Sequence, residues 1–323
     1  MESMSVFITG GLGLIGSALA RMIAAKGIPV WVFARRAHPK RLEDIQDRVK
    51  MVQGNLGNFS TVLEAVKESA PRVIFHLGAM LSVPSDANPH AALATNVSGT
   101  YHVLEAARLF HVPKVIFSST VGTYGIDIQG PVIDDYTLQR PGSIYGATKV
   151  FGELLGRYYR TKYGIDFRAI RFPSVVGPGS KTAHVTIYNS WAVEKDFKGE
   201  PYDVLVEPDM RFPSLYFKDA ARALMLLEAA PTESIRMVCY LLAGIQPMFS
   251  AGEMVAEVKK HFPRAILNFK PDSFAMSFHK SLQGITFDDR VAQREWGWKV
   301  EYSLGKMIDD FCAELRAHPE RYQ

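Results

Sequence analysis

The residues with the clearest capacity for chemistry in this 323-residue chain are Tyr145 and Lys149, in the run Tyr-Gly-Ala-Thr-Lys. Four positions apart on a helix, a phenol and an ammonium share one face. A tyrosine that trades protons near neutral pH must lower its pKa by about three units, at a cost of about 4 kcal/mol. A positive charge about 4 Å away supplies about 4 kcal/mol at an effective dielectric near 20. One well-placed lysine therefore nearly suffices to make the phenol an acid and base. A third group should donate a hydrogen bond to the reacting oxygen. Phe117-Ser118-Ser119-Thr120 ends an apolar run, and Thr120 is the first candidate there, Ser119 the second. The spacing of tyrosine and lysine also occurs on ordinary amphipathic helices, so its meaning depends on what lies upstream.

Upstream lies Thr9-Gly10-Gly11-Leu12-Gly13-Leu14-Ile15-Gly16, directly after the first β-branched run. Gly10 suits a tight turn that demands positive φ, Gly13 leaves room for a pyrophosphate, and Gly16 lets the next helix pack close. The free N–H groups of a helix opening at Leu14 and Ile15 carry about half a positive charge toward that phosphate. This is the context in which a glycine triplet binds a dinucleotide. An acidic residue after the second strand would hold the adenosine ribose, but here the chain reads Phe33-Ala34-Arg35-Arg36. Two guanidiniums suit a 2′-phosphate. NADP is therefore favoured, with NAD as the alternative. Cradle, phenol, ammonium and hydroxyl together suit hydride transfer between a nicotinamide and a secondary alcohol or its ketone.

The elements needed to position these groups are readable in outline. Strands are expected at Ser5–Thr9, Pro29–Ala34, Lys50–Gln53, Arg72–Gly78, Lys114–Ser119 and Phe167–Phe172. Helices are expected at Leu14–Lys26, Phe59–Ser69, Asn88–Phe110 and Ile144–Tyr163, the last entered through Pro141 and Gly142. Buried strands alternating with helices make an α/β fold with a doubly wound parallel sheet of the Rossmann type. Beyond Arg171 the alternation loosens. A helix is expected from His184 to Lys198, a strand at 204–206, a helix at Lys218–Ala229 and a strand around Arg236–Leu242 that returns to the sheet. Ser250 and Glu253 form a capping box, Asp288 and Asp289 start a helix, and Ser303 caps the last one. Residues 1–178, with 208–245 returning, form the dinucleotide domain. Residues 179–207 and 246–323 form a smaller α/β substrate lobe at the C-terminal side.

The bulk numbers narrow the class. Apolar residues make up 47% and charged residues 22%, with a net charge of +4 and no block of like charges, which argues against nucleic acid. No run approaches the roughly 20 apolar residues of a membrane span. The opening Met-Glu-Ser-Met-Ser lacks the pattern of a secretory leader. The two cysteines, Cys239 and Cys312, make no disulfide framework and no metal spacing, so a cytoplasmic enzyme without a metal is expected.

Together with His76-Leu77-Gly78-Ala79, Asn96, Gly99-Thr100, Arg171-Phe172-Pro173 and Trp296-Gly297-Trp298, these motifs resemble the extended short-chain dehydrogenase/reductase family, the epimerase/dehydratase type. The resemblance implies Tyr145 as general acid/base, Lys149 as ribose ligand and Thr120 as the hydroxyl. It also implies cofactor contacts at Asn55, Leu56, Leu77, Gly78, Ala79, Phe172 and Pro173. Ala79-Met80-Leu81-Ser82, Gly152-Glu153 and Asp209-Met210-Arg211-Phe212-Pro213 are most similar to the L-threonine 3-dehydrogenase branch. That branch has an acidic residue where Arg35 and Arg36 stand and an Asp-Tyr pair where this chain has Ala183-His184. The substrate is expected between Ser82, Thr120, Tyr145 and the second lobe, with His184, Tyr188 and Arg211 as further contacts and Thr182 as an outlying one. The alternatives are a nucleotide-sugar epimerase or dehydratase and a non-catalytic NAD(P) sensor. Where epimerases carry an asparagine after the sixth strand, this chain has Ser174 and Val175. The family's pairing of two long helices implies a homodimer, here through Asn88–Phe110 and Ile144–Tyr163, which carry Tyr101, Leu104, Phe151, Leu155 and Tyr158.

Overall fold

The computed structural model describes residues 5–35, 40–125, 127–181, 186–273, 275–276, 282 and 284–322. Seven strands form one parallel sheet: β1 (Val6–Thr9), β2 (Val30–Ala34), β3 (Val49–Gln53), β4 (Val73–His76), β5 (Lys114–Thr120), β6 (Asp166–Phe172) and β7 (Cys239–Leu241). Their order is β3-β2-β1-β4-β5-β6-β7. Val6 of β1 sits opposite Val30 on one side and Val73 on the other. The direction of winding reverses between β1 and β4, which opens a crevice at the carboxyl ends of those strands.

Both faces of the sheet are covered, so its strands read as nearly unbroken apolar runs. Val6, Ile8, Phe75, Ile116 and Ile170 point to one face, against α1 (Leu14–Ala24) and a later helix, Phe217–Ala229. Phe7, Ile74, Val115, Phe117 and Phe167 point to the other, against α2 (Phe59–Ser69), α3 (Gly99–Leu109) and α4 (Ile144–Tyr163). The alternation follows from the period of two along a strand. The expected return of the chain to the sheet is present as β7, parallel to β6.

The helix expected over Asn88–Phe110 is not uniform. Residues Pro89–Ala92 are α-helical, Leu93–Ser98 form a π-helical turn, and α3 follows. The wider turn accompanies a tertiary commitment of Asn96. Its Oδ1 accepts the Met80 N–H at 2.8 Å, and its Nδ2 donates to the Met80 carbonyl and to Thr148 Oγ1. A separate short helix, Ser82–Ala87, precedes this run where none was expected.

Beyond β6, α5 (Tyr188–Phe197), α6 (Phe217–Ala229), α7 (Ala251–His261), α8 (Arg290–Trp296) and α9 (Leu304–Ala317) complete the chain's helices of seven residues or more among the described residues. The strand expected at 204–206 lies at Tyr202–Val204 instead, where it pairs in parallel with Leu267–Phe269. That pairing joins two segments far apart in the chain. Both halves of the Ser250–Glu253 capping box form at the start of α7.

Candidate active site

The cradle begins with a backbone only glycine adopts easily. Gly10 has φ of +68°, and a Cβ there would lie 2.8 Å from the Gly78 backbone. At Gly16 a Cβ would lie 2.4 Å from the Gly10 carbonyl oxygen, so the helix can close onto the turn only without a side chain. The N-cap of α1 is Gly13, and no side chain caps this helix. By contrast, Asn58 caps α2, Ser143 caps α4 and Ser250 caps α7. The first-turn amides of α1 therefore have no side-chain acceptor, and the helix opens where the glycine turn lines the cleft, which fits a dinucleotide phosphate.

These groups line one cleft of about 1390 Å³. Gly10, Gly13, Leu14, Ile15 and Gly16 form its floor, and Arg35, Asn55 and Leu56 lie toward the end of β2 and β3. Leu77, Gly78, Ala79 and Ser82 form the wall that follows β4. Ser119, Thr120, Tyr145, Lys149, Phe172 and Pro173 form the opposite wall. Ser143 caps α4 by accepting the Gly146 N–H at 3.1 Å, directly after the expected helix entry at Pro141 and Gly142.

The two hydroxyls at the end of β5 are not equivalent. Ser119 is buried and donates to Glu153 Oε1 at 2.5 Å. Thr120 Oγ1 accepts the Gly122 N–H at 3.0 Å, which leaves its own proton available. Glu153 is held by a buried ion pair with Arg171, Nη2 to Oε2 at 2.7 Å. Lys149 is buried, and its Nζ donates to the Ser118 carbonyl at 2.7 Å. That nitrogen lies 5.7 Å from the centre of the Tyr145 ring.

The electrostatics differ from the expectation that one lysine brings the phenol toward neutrality. Burial pushes the Tyr145 hydroxyl upward from its ordinary value. Burial also pushes the Lys149 ammonium down to about 7, with Glu153 opposing it. A medium of low polarity disfavours both charged forms, so the protein's own groups do not ionise the pair by themselves.

Five expected contacts lie outside the cleft or outside the described residues. Tyr188 is buried in the main core and does not line the cleft, because the apolar face of α5 turns inward. Arg211 is outside the cleft as well. It donates to the Met248 carbonyl and pairs with Glu253 at 2.9 Å, bracing the start of α7. His184 lies outside the described residues, as do Arg36 and Thr182. Conversely, Arg41, Arg321, Phe212 and Leu282 line the cleft without having been singled out as site residues. Arg41 belongs to the basic run that starts at Arg35, which was its one sequence signal. Arg321 and Leu282 have none, since only folding brings those segments back to the cleft.

A parallel sheet whose crevice brings a glycine-rich turn, a tyrosine, a lysine and a threonine hydroxyl into one cleft is that of an NAD(P)-dependent oxidoreductase acting on a small polar alcohol or its ketone. Residues 6–237 match the NAD dependent epimerase/dehydratase family, and the chain belongs to that family. It is 29% identical over 309 residues to the mitochondrial L-threonine 3-dehydrogenase of Bos taurus, covering 95% of this chain and 81% of that one. An L-threonine dehydrogenase from Clostridium difficile superposes with a TM-score of 0.87 at 26% identity, over 98% of this chain and 99% of that chain. A monomeric L-threonine 3-dehydrogenase from a metagenome gives 0.86 at 26% identity, over 97% and 99%. Among the described residues no helix is long and apolar enough to cross a membrane, and no cluster of His, Cys, Asp or Glu could hold a metal.

Proposed function

We propose that the protein oxidises the secondary alcohol of a small hydroxy amino acid or hydroxy acid to the ketone, with NADP favoured over NAD. One observation carries this reading: Thr120, Tyr145 and Lys149 line the same cleft as the glycine turn. When bound, the oxidised nicotinamide supplies the hydride acceptor and a positive charge. Tyr145, as the phenolate that this added positive charge favours, would take the alcohol proton on its phenolic oxygen while the carbon-bound hydrogen leaves as hydride to the nicotinamide. Thr120 donates its free proton to the same substrate oxygen and orients it. Lys149, anchored on the Ser118 carbonyl, would hold the ribose hydroxyls. The open amides of α1 would hold the pyrophosphate, with Asn55, Leu56 and Leu77–Ala79 along the adenosine and nicotinamide path.

The L-threonine dehydrogenases among the relatives support a hydroxy amino acid first, because the likeness extends over nearly the whole chain. The cofactor preference is supported by Arg35 and Lys40, which line the cleft with no carboxylate partner among the described residues. Two further proposals concern the setting. Two free buried thiols, Cys239 and Cys312, suit a reducing compartment, the cytoplasm. The exposed faces of α3 and α4 suit a homodimer.

Absorbance at 340 nm with L-threonine, L-serine and 3-hydroxy acids tests the reaction. Net cofactor reduction is expected with at least one of them; turnover of a nucleotide sugar without net reduction would favour an epimerase. Tyr145→Phe should lower kcat by about a thousandfold or more while the nucleotide Kd stays within about twofold. Loss of both would point to a structural role for Tyr145. The ratio of kcat/KM for NADP over NAD should exceed one, and a tenfold preference for NAD would overturn the cofactor assignment.

A further inference from the structure

The lining of the cleft also holds a group of basic side chains, Arg35, Lys40, Arg41 and Arg321. At its centre is Arg41, in the turn Lys40–Ile45. Its Nη2 donates to the carbonyls of Pro178, at 3.2 Å, and of Gly179. Its guanidinium lies 5.5 Å from the centre of the Tyr322 ring. Gly179 has φ of +70°, and a Cβ there would lie 2.7 Å from Arg41 Nη2 and 3.1 Å from the Tyr322 ring. Three distant segments, 40–45, 178–179 and 319–322, therefore close on one guanidinium, and a side chain at 179 would push them apart.

Among the described residues no anion pairs with that guanidinium: Arg41 makes no ion pair there, and its Nη1 is buried without a hydrogen-bond partner. Glu194, whose field reaches Arg41, is already occupied by the Gly179 N–H at 2.9 Å and Lys198 at 3.0 Å. Asp44 is taken by Arg21 and Arg321. A desolvated cation with an idle donor is costly unless an anion completes it.

We propose that Arg41, clamped by Gly179 and Tyr322, binds a phosphate of the dinucleotide, so that the segment 319–322 is part of the cofactor site. This rests on the nucleotide-binding reading above. The same chemistry fits either the 2′-phosphate or the pyrophosphate. Lys40 and Arg321 line the cleft beside it and add positive potential.

Isothermal titration of NADP and NAD against the parent chain and Arg41→Met tests the clamp without turnover. The expected result is a Kd raised about tenfold or more. Weakening of both nucleotides alike assigns the pyrophosphate, and weakening of NADP alone assigns the 2′-phosphate. Binding of both within twofold of the parent overturns the proposal. A parent chain that binds neither nucleotide overturns the nucleotide-binding reading itself, and the clamp with it. Should Arg41→Met fail to fold, Tyr322→Leu keeps the cation and removes its aromatic backing. A threefold or greater rise in Kd with that variant supports the clamp, and an unchanged Kd overturns it.

Discussion

Thr120 and Ser119 are neighbouring hydroxyls at the carboxyl end of β5, yet their protons are committed differently. Ser119 spends its proton on Glu153, and Thr120 accepts a backbone amide and keeps its proton. Only the second can polarise a substrate oxygen without breaking an existing bond. Thr120→Val, which preserves shape, should therefore lower kcat/KM by about ten- to a hundredfold with little change in nucleotide Kd. Ser119→Ala should act mainly on stability, because it leaves a buried Glu153 oxygen with one donor fewer. Equal kinetic losses in the two variants would contradict this division. The strand-end position and the family resemblance put Thr120 before Ser119 as an expectation. The hydrogen bond that distinguishes their protons was not legible in the sequence, since Glu153 reaches Ser119 from the following helix, across a separation of 34 residues. The same limit explains Tyr188 and Arg211. Each had the right chemistry for a substrate contact, and packing turned one into core and gave the other a carboxylate on α7.

At the scale of elements, α4 does more than carry Tyr145 and Lys149. One turn beyond Lys149, Glu153 joins β5 through Ser119 and β6 through Arg171. Arg171 continues the network to the Tyr124 hydroxyl at 2.8 Å and to the Asp135 carbonyl. Asp135 in turn accepts the Leu241 N–H of β7 at 2.6 Å. Its other carboxylate oxygen is buried without a partner, and burial pushes its pKa up to about 7. The folded protein thus holds this proton more tightly than the unfolded chain does. Stability from this group is complete below about pH 4, the unfolded value, and drains away as the pH rises through about 7. Asp135→Asn keeps the acceptor for Leu241 and cannot ionise. It should be more stable than the parent at pH 8, by an amount on the order of 4 kcal/mol, and the gap should narrow as the pH falls and close only near pH 4. Thermal denaturation at both pH values checks this; a gap that does not depend on pH would show that Asp135 does not titrate in this range. The limits of α4 and α2 were readable from apolar periodicity and turn residues alone. The interruption at Leu93–Ser98 was not, because it accompanies bonds from Asn96 to Met80 and Thr148 that periodicity cannot register.

For the whole molecule, the open question is what covers the outer faces of α3 and α4. Of the residues expected to face a partner, Leu104 is buried and Leu155 packs against the sheet, while Tyr101, Phe151 and Tyr158 are exposed. Leu154 joins them at 61% exposure, and Tyr158 is at 52%. On α4 the exposed positions 151, 154 and 158 fall on one stripe, since residues three and four apart are neighbours on a helix. A contiguous apolar stripe of this kind is unusual for a monomer's surface. Two such faces related by a two-fold axis would bury the stripe against itself. A similar solved chain is described as a monomeric L-threonine 3-dehydrogenase, so membership of the family does not decide the matter, and the surface of this chain must. Sedimentation at about 10 µM should give twice the chain mass, because a stable pairing that buries about 800 Å² per partner holds at such concentrations. Leu154→Glu places a charge at the centre of the stripe and should give the monomer. The cleft lies at the carboxyl ends of the strands, whereas Leu154 projects from the outer side of α4. The variant should therefore bind nucleotide as the parent does. A parent chain that sediments at its monomer mass would refute the pairing and leave the assignment of the cleft untouched.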